Sequence, residues 1–455
     1  MEGLFEFLPL LMFAALGVLL FSGFPVAFVL GGVGLGFWAL AASLGLVSEK
    51  SFLLVISRIY GGVVEDLVLV AIPMFIFMGV MLEKSGVARD LLLTLQQLMR
   101  RVPGGLALAV VLLGVVMAAS TGIIGASVVM MTLMALPVMA EKKYDLAFAS
   151  GTIAASGTLG ILIPPSIMLV VMGNLLSVSI GTLFFAALMP GLLLAGLYLA
   201  YVVGFAALFP VRAPGVHARD REALGALMFR AARTFLPPVA LIVLVLGSIF
   251  AGVATPTEAS GIGAAGAAAL ALARRKLTLA VLHEVVQTTA LIGAMLFGIF
   301  VGATCFSFVF TLLGGNELII GFVEALNAGP WSVLIIIMLV VFVLGFFFDW
   351  IQISLIVLPV FAPVVRLLDF SGHLPFPEMT VTWFAILVAV NLQTSFLTPP
   401  FGFALFYLKG AAPKTVRMQD VYRGIVPFVA LQLLGLAAVM AWPEIALWLP
   451  VHFGL

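Results

Sequence analysis

Apolar residues in this chain fall into long blocks separated by short polar stretches. The period-two alternation of a half-buried strand is not sustained anywhere. A bilayer crossing by an α-helix takes roughly 20 apolar residues. Blocks of that kind are read at about 8–22, 25–47, 67–83, 104–119, 122–140, 146–163, 165–177 and 181–209. A second series follows at about 236–253, 257–273, 284–313, 331–348, 350–367, 381–398, 399–409 and 424–450. The shorter, mixed stretch 51–64 suits an interfacial helix. The stretch 212–235 carries Arg212, Arg219, Arg221, Arg230 and Arg233 without a long apolar run, which makes it a basic connector between the two series. The first block is flanked by Glu2 and Glu6 and lacks the basic flank of a cleaved leader, so it is read as a retained helix. Helices are expected throughout because lipid offers backbone N–H and C=O groups no outside partner.

Composition narrows the class. Of 455 residues, 64% are hydrophobic and 9% charged, and the mean hydropathy is +1.30. Soluble domains carry roughly a quarter charged residues, so this is a polytopic membrane protein with room for about ten to twelve crossings. A net charge of +1 leaves no concentrated basic surface for nucleic acid. The single Cys305 forms no internal disulfide, and His217, His283, His373 and His452 are scattered, which excludes a His-rich metal centre and the residues of an intramembrane enzyme. No Gly-Lys-Ser/Thr phosphate loop occurs, so ATP hydrolysis by that route is excluded.

Charge placement orients the chain. With the N-terminus outside, and with 104–140 and 331–367 each returning to its starting side, all of the 21 Lys and Arg except Lys50, Arg58 and Arg366 fall on the inner side. Glu2, Glu6, Glu49, Glu65, Asp66, Glu317, Glu324, Asp369, Glu378 and Glu444 gather outside. That asymmetry is the positive-inside signature. It predicts two periplasmic termini.

The two series look alike. Pro164-Pro165 is matched by Pro399-Pro400, Leu136-Pro137-Val138 by Leu358-Pro359-Val360, and Pro25 with Gly32 by Pro256 with Gly263. The copies enter the membrane from opposite sides, which is the inverted repeat of many secondary transporters. Each proline pair interrupts a helix by removing N–H donors and clashing with the preceding turn. The interruptions lie in Ala155-Ser156-Gly157-Thr158-Leu159-Gly160-Ile161-Leu162-Ile163-Pro164-Pro165-Ser166 and in Asn391-Leu392-Gln393-Thr394-Ser395-Phe396-Leu397-Thr398-Pro399-Pro400. Freed carbonyls beside Ser, Thr, Asn and Gln make neutral oxygen cages of a kind that suits Na⁺, while half-helix N-termini suit a carboxylate. Simple packing kinks are the structural alternative.

Each broken helix follows a candidate hairpin, one turning at Ser120–Ser127 and one between Gly345 and Ser354. Asp349 stands between Phe348 and Trp350 as an intramembrane charge, a functional candidate by default unless it merely ends a span. Glu258 follows Pro256 in a first helical turn and is read as ordinary helix-start chemistry. Cys305 is read as packing.

At these motifs the chain resembles the large membrane subunit of tripartite ATP-independent periplasmic (TRAP) transporters. The resemblance rests on residues 155–166, on Thr255-Pro256-Thr257-Glu258-Ala259, and on 392–408, and it extends over essentially the whole chain. Stretches 117–139 and 392–408 are most similar to the mannitol/chloroaromatic-type branch, whose members are associated with 2-oxo acids, lactate and related carboxylates. The resemblance implies an all-α, elevator-type transporter with two re-entrant hairpins and two broken helices. It implies a first inverted repeat over 1–209 with an inner hairpin at about 104–140 and a broken helix at about 146–177. A cytoplasmic connector over 210–235 and a second repeat over 236–455 follow, the latter with an outer hairpin at about 331–367 and a broken helix at about 381–409. It further implies Na⁺ as coupling ion, no other cofactor, a bacterial inner-membrane location and small organic acids as substrates. The implied partners are a small four-helix membrane subunit and a periplasmic binding protein that carries most of the selectivity. One sodium site would fall on Ser120, Thr121, Gly122, Ser127, Gly157, Thr158 and Gly160. A second would fall on Gly345, Gln393, Thr394, Ser395 and Thr398. Ser156 and Asp349 would meet substrate. Many relatives carry a Gly/Ser-repeat inner hairpin tip, where this chain reads Ser-Thr-Gly-Ile-Ile-Gly-Ala-Ser. The rival reading is a stand-alone carboxylate symporter or a cation/proton antiporter of similar design. It needs no binding protein, and as an antiporter it would more often place paired carboxylates at mid-membrane.

Overall fold

A computed structural model describes residues 2–121, 124–215, 224–325, 328–399 and 402–454. The side chains of 2–6, 119–121, 224 and 226 lie outside that description. Among the described residues the regular structure is entirely helical. The first half runs α1 (Glu2–Leu20), α2 (Val26–Ser43), α3 (Ser51–Ile59), α4 (Ala71–Lys84), α5 (Val87–Met99), α6 (Gly105–Thr121), α7 (Ile124–Glu141), α8 (Leu146–Thr158), α9 (Ile167–Leu176) and α10 (Ile180–Leu208). The second half runs α11 (Leu224–Phe250), α12 (Pro256–Ala273), α13 (Leu279–Leu312), α14 (Gly315–Ala325), α15 (Pro330–Leu344), α16 (Trp350–Leu367), α17 (Thr380–Ser395), α18 (Phe403–Ala411), α19 (Met418–Ala441) and α20 (Glu444–His452). Among the described residues, eight helical segments are long and apolar enough to cross a bilayer, including Val26–Ser43, Ile180–Leu208, Leu279–Leu312 and Met418–Ala441.

Local chemistry sets the helix ends. Asp145 caps α8 by accepting from the backbone N–H of Ala147 and Phe148 at 2.9 and 3.0 Å. Thr255 and Glu258 form a reciprocal capping box at α12, with Glu258 Oε2 accepting from Thr255 N–H at 2.8 Å. Two orphan donors are satisfied at once, and the structural reading of Glu258 holds. Cys305 is buried on α13 facing Gly31 of α2.

The connector is shorter than the sequence predicts, because α11 begins at Leu224 and runs through Pro237 and Pro238. Its first turns are amphipathic: Leu227, Ala231 and Thr234 are buried, whereas Arg230 and Arg233 are exposed. Two further helices, α5 and α14, lie where no element is predicted. In α5, Val87, Ala88, Leu91, Leu92 and Leu95 are buried on one face.

Packing between the halves comes in exchanged pairs. Helix α2 packs on α13, and α12 packs on α4. Helix α7 packs on α18, and α16 packs on α9. Helix α8 packs on α19, and α17 packs on α10. In every pair an element of the first half meets an element of the second.

Candidate functional site

Two helices stop at matching places. Helix α8 ends at Thr158, tightens into a 3₁₀ turn over Leu159–Ile161, and the chain resumes as α9 at Ile167. Helix α17 ends at Ser395 and the chain resumes as α18 at Phe403. The first break therefore begins at Leu159, five residues ahead of Pro164. Ser166 lies in the gap with its hydroxyl donating to Ile161 O. Gly402, with φ +40°, turns the chain into α18, a conformation L residues rarely adopt.

The hairpins press directly on these breaks. A methyl group at Gly157 would overlap the Val128 side chain of α7. Ser127, buried on the same helix, is thereby brought to the level of the first break. Gly345, the C-cap of α15, faces Ser395 so closely that any Cβ there would collide with the Ser395 side chain. Only glycine allows this contact. Gly160 is buried in the 3₁₀ turn. Ser120, Thr121 and Gly122 lie outside the described residues or side chains.

The polar groups at the two breaks meet each other. Gln393 is fully buried, and its Nε2 donates to Thr158 Oγ1 at 3.4 Å. Its Oε1 is buried without a hydrogen-bond partner, a costly condition for an amide oxygen. Thr158 donates its hydroxyl proton to Ala155 O at 2.8 Å. Thr394, Ser395 and Thr398 donate to Val390, Asn391 and Thr394 carbonyls at 3.4, 3.3 and 2.8 Å. A hydroxyl has one proton and two lone pairs. With the proton spent on the helix, the lone pairs are what these side chains offer to a cation. Neutral oxygens of this kind fit a hard monovalent ion.

A cavity of about 550 Å³ lies between both hairpins and α18. Asp349, Trp350 and Gln352 line it from one side, Ile124, Gly125 and Ala126 from another, and Phe396, Phe403 and Tyr407 from a third. Its described lining includes no Lys or Arg. Asp349 is the N-cap of α16: its Oδ1 accepts from Trp350 N–H at 2.8 Å, and Gln352 Oε1 accepts from its own N–H at 3.3 Å. A methyl at Gly125 would sit 3.0 Å from the Tyr407 ring, so α7 closes against α18. Ser156 is placed elsewhere: it faces Gly114 of α6, donates to Thr152 O at 2.6 Å, and does not line this cavity. Tyr407, Phe396 and Phe403 were not singled out by the sequence. Gln352 carried a signal, as a polar residue three positions after Asp349, whereas the aromatics are indistinguishable from core residues in a chain with 38 Phe.

Comparison with known proteins places these features in a family. The family model described as "Tripartite ATP-independent periplasmic transporter, DctM component" matches residues 13–445. The C4-dicarboxylate TRAP transporter large permease protein of Pseudomonas aeruginosa is 33% identical over 393 residues, 86% of this chain and 88% of that one. The ectoine/5-hydroxyectoine TRAP large permease protein of Ruegeria pomeroyi is 31% identical, covering 96% and 97%. The isethionate TRAP permease protein DctMQ of Oleidesulfovibrio alaskensis is 28% identical over 97% of this chain and 66% of its own length. Among solved structures, the YdaH transporter of Alcanivorax borkumensis shares the fold, with a TM-score of 0.59 and 16% identity over 89% of each chain. The chain is thus a multi-pass transporter permease and not an enzyme. It belongs to the DctM family, the large permease subunits of binding-protein-dependent TRAP transporters.

Proposed function

We propose that this chain is the translocating subunit of a Na⁺-coupled importer of small organic acids, of the 2-oxo acid or lactate type associated with the mannitol/chloroaromatic-type branch. The observation that carries the reading is the meeting of Gln393 and Thr158. The two broken helices, one from each half, come together through these side chains, and a fully buried amide oxygen is left unpartnered beside them. Sodium at one site would draw on the inner hairpin with Gly157, Thr158 and Gly160, and at the other on Gly345, Gln393, Thr394, Ser395 and Thr398. Asp349 would face substrate in the cavity between the hairpins.

The exchanged packing pairs support an inverted repeat, since a two-fold relation between 1–209 and 236–455 generates them pair by pair. Helices α6–α7 and α15–α16 are then the re-entrant hairpins. They move with α8–α9 and α17–α18 as a transport unit, in an elevator-like step against α2, α4, α12 and α13. The implied partners are a periplasmic binding protein and a small four-helix membrane subunit. The name DctMQ of a relative that this chain covers over 66% of its length supports the second. The site lies in the inner membrane, with the substrate chosen chiefly by the binding protein.

Reconstitution with both partners in proteoliposomes tests this reading. Uptake is expected to require a Na⁺ gradient and the binding protein, and no ATP. Full uptake driven by protons in Na⁺-free buffer overturns the coupling. Robust uptake without a binding protein places the chain among stand-alone symporters.

A further inference from the structure

The cavity between the hairpins carries one sign of charge. Asp349 is the only carboxylate in its described lining, and no Lys or Arg answers it there. The ion pairs of the described residues do not include it. An organic anion entering this space therefore meets a like charge, unless it brings a group that Asp349 can bind. The hydrogen bonds of the site say which group that is. Asp349 Oδ1 is engaged by the Trp350 N–H at 2.8 Å, at the positive end of the α16 dipole, where a carboxylate is well placed. What the side chain has left to offer is lone pairs, since an ionised carboxylate only accepts. Its neighbours in the lining are of the opposite kind. Gln352 takes the Asp349 N–H on Oε1 at 3.3 Å, which leaves its NH₂ as a donor. Tyr407 adds a hydroxyl with a proton to give. Helix α18 starts beside them without a side-chain cap at Gly402, so its dipole also favours an anion there. The cavity thus has donors for a substrate carboxylate and one strong acceptor for a different group.

We propose that this cavity selects 2-hydroxy acids over 2-oxo acids, with Asp349 accepting the proton of the substrate hydroxyl. The inference rests on the reading of the cavity as the organic-acid site and narrows it. A 2-hydroxyl group has a proton to give and turns the like-charge contact into a charge-assisted hydrogen bond. A 2-oxo oxygen has lone pairs only, and it sets acceptor against acceptor at Asp349. A site built to bond a substrate hydroxyl rejects the analogue lacking it far more sharply than an apolar pocket does, because the buried polar group is then left unpaired. This selectivity belongs to the permease and adds to that of the binding protein.

The test therefore uses the purified permease complex with no binding protein present. Thermal stabilisation is titrated with lactate, pyruvate and propionate, which have equal chain length and differ only at the second carbon. Each titration is run in Na⁺ and again with choline replacing Na⁺ at constant ionic strength. In Na⁺, lactate is expected to half-saturate at a concentration about ten-fold below pyruvate and propionate, the scale of one hydrogen bond to a charged group. Asp349→Asn still caps α16, and its amide donates as well as accepts. It is expected to remove the gap between lactate and pyruvate. Pyruvate or propionate binding the wild type as tightly as lactate overturns the selectivity and leaves the cavity an acid site. A lactate preference that persists in Asp349→Asn overturns the role of Asp349. If none of the three acids stabilises the permease in Na⁺, the inference falls together with the organic-acid reading. Equal stabilisation in choline overturns the Na⁺ coupling alone.

Discussion

Asp349 holds two jobs that single substitutions separate. As N-cap of α16 it needs only a side-chain oxygen for the Trp350 N–H. As a cavity group it needs its charge. Asn caps helices about as well as Asp, whereas Ala costs about 1 kcal/mol. Asp349→Asn is therefore expected to leave the melting temperature within about 0.5 kcal/mol equivalent of wild type while strongly reducing Na⁺-driven uptake. Wild-type uptake by Asp349→Asn removes the residue from the substrate cavity. Asp349→Ala is expected to lose stability as well. Residues of this kind were legible in the sequence because a charge in an apolar run stands out. Thr158 and Gln393 were legible because they flank proline pairs. Tyr198 and Gln432 were not. Each stands in the apolar stretch of a long helix, and only the fold shows that the two meet. Ser156 lies in the broken-helix motif, and the fold sets it against Gly114 with its hydroxyl donating to Thr152 O.

At the scale of elements, the contact of hairpin with broken helix is the part most sensitive to a single methyl. Gly345→Ala forces a Cβ into Ser395. Overpacking of this sort costs typically 1–3 kcal/mol, and α15 must draw back from α17. The expected outcome is a lower melting temperature together with lost uptake. Gly345→Ala/Ser395→Gly removes the overlap and is expected to recover stability. Unchanged stability in Gly345→Ala shows that the hairpin tip has room to shift. A control comes from the capping box at α12. Thr255→Ala removes the cap hydroxyl that accepts from Glu258 N–H at 3.3 Å. It is expected to cost about 1 kcal/mol and to leave half-saturating Na⁺ as in wild type. Altered Na⁺ dependence there contradicts a purely structural Glu258 turn. The long apolar helices were readable from block length alone. Helices α5 and α14 and the start of α11 were not, because reading for spans favours continuous apolar runs. An amphipathic helix such as α5 breaks its run with Arg89 and Asp90 on the exposed face.

At the scale of the whole molecule, orientation follows from charge, and the one native thiol makes it testable. Cys305 is buried between α13 and α2, so it supplies little background to a thiol reagent, and Cys305→Ser removes what remains. Ser371 lies exposed in the loop between α16 and α17, next to Asp369, which accepts from its N–H at 2.8 Å. Lys276 lies exposed in the turn between α12 and α13, beside Arg274, which is paired with Asp90 at 2.9 Å. Lys84 of α4 pairs with Glu284 of α13 near the same turn. The positive-inside asymmetry predicts the first loop in the periplasm and the second turn, with its basic neighbours, in the cytoplasm. In intact cells with a permeabilised outer membrane, Ser371→Cys is expected to react with a membrane-impermeant maleimide, and Lys276→Cys only after the inner membrane is opened. The opposite pattern inverts the topology and moves the hairpin of α15 and α16 to the cytoplasmic side. Labelling of both positions in intact cells breaks the alternation on which the inverted repeat rests. Both loops lie in the second half, and their separation by the membrane fixes the side from which that half enters.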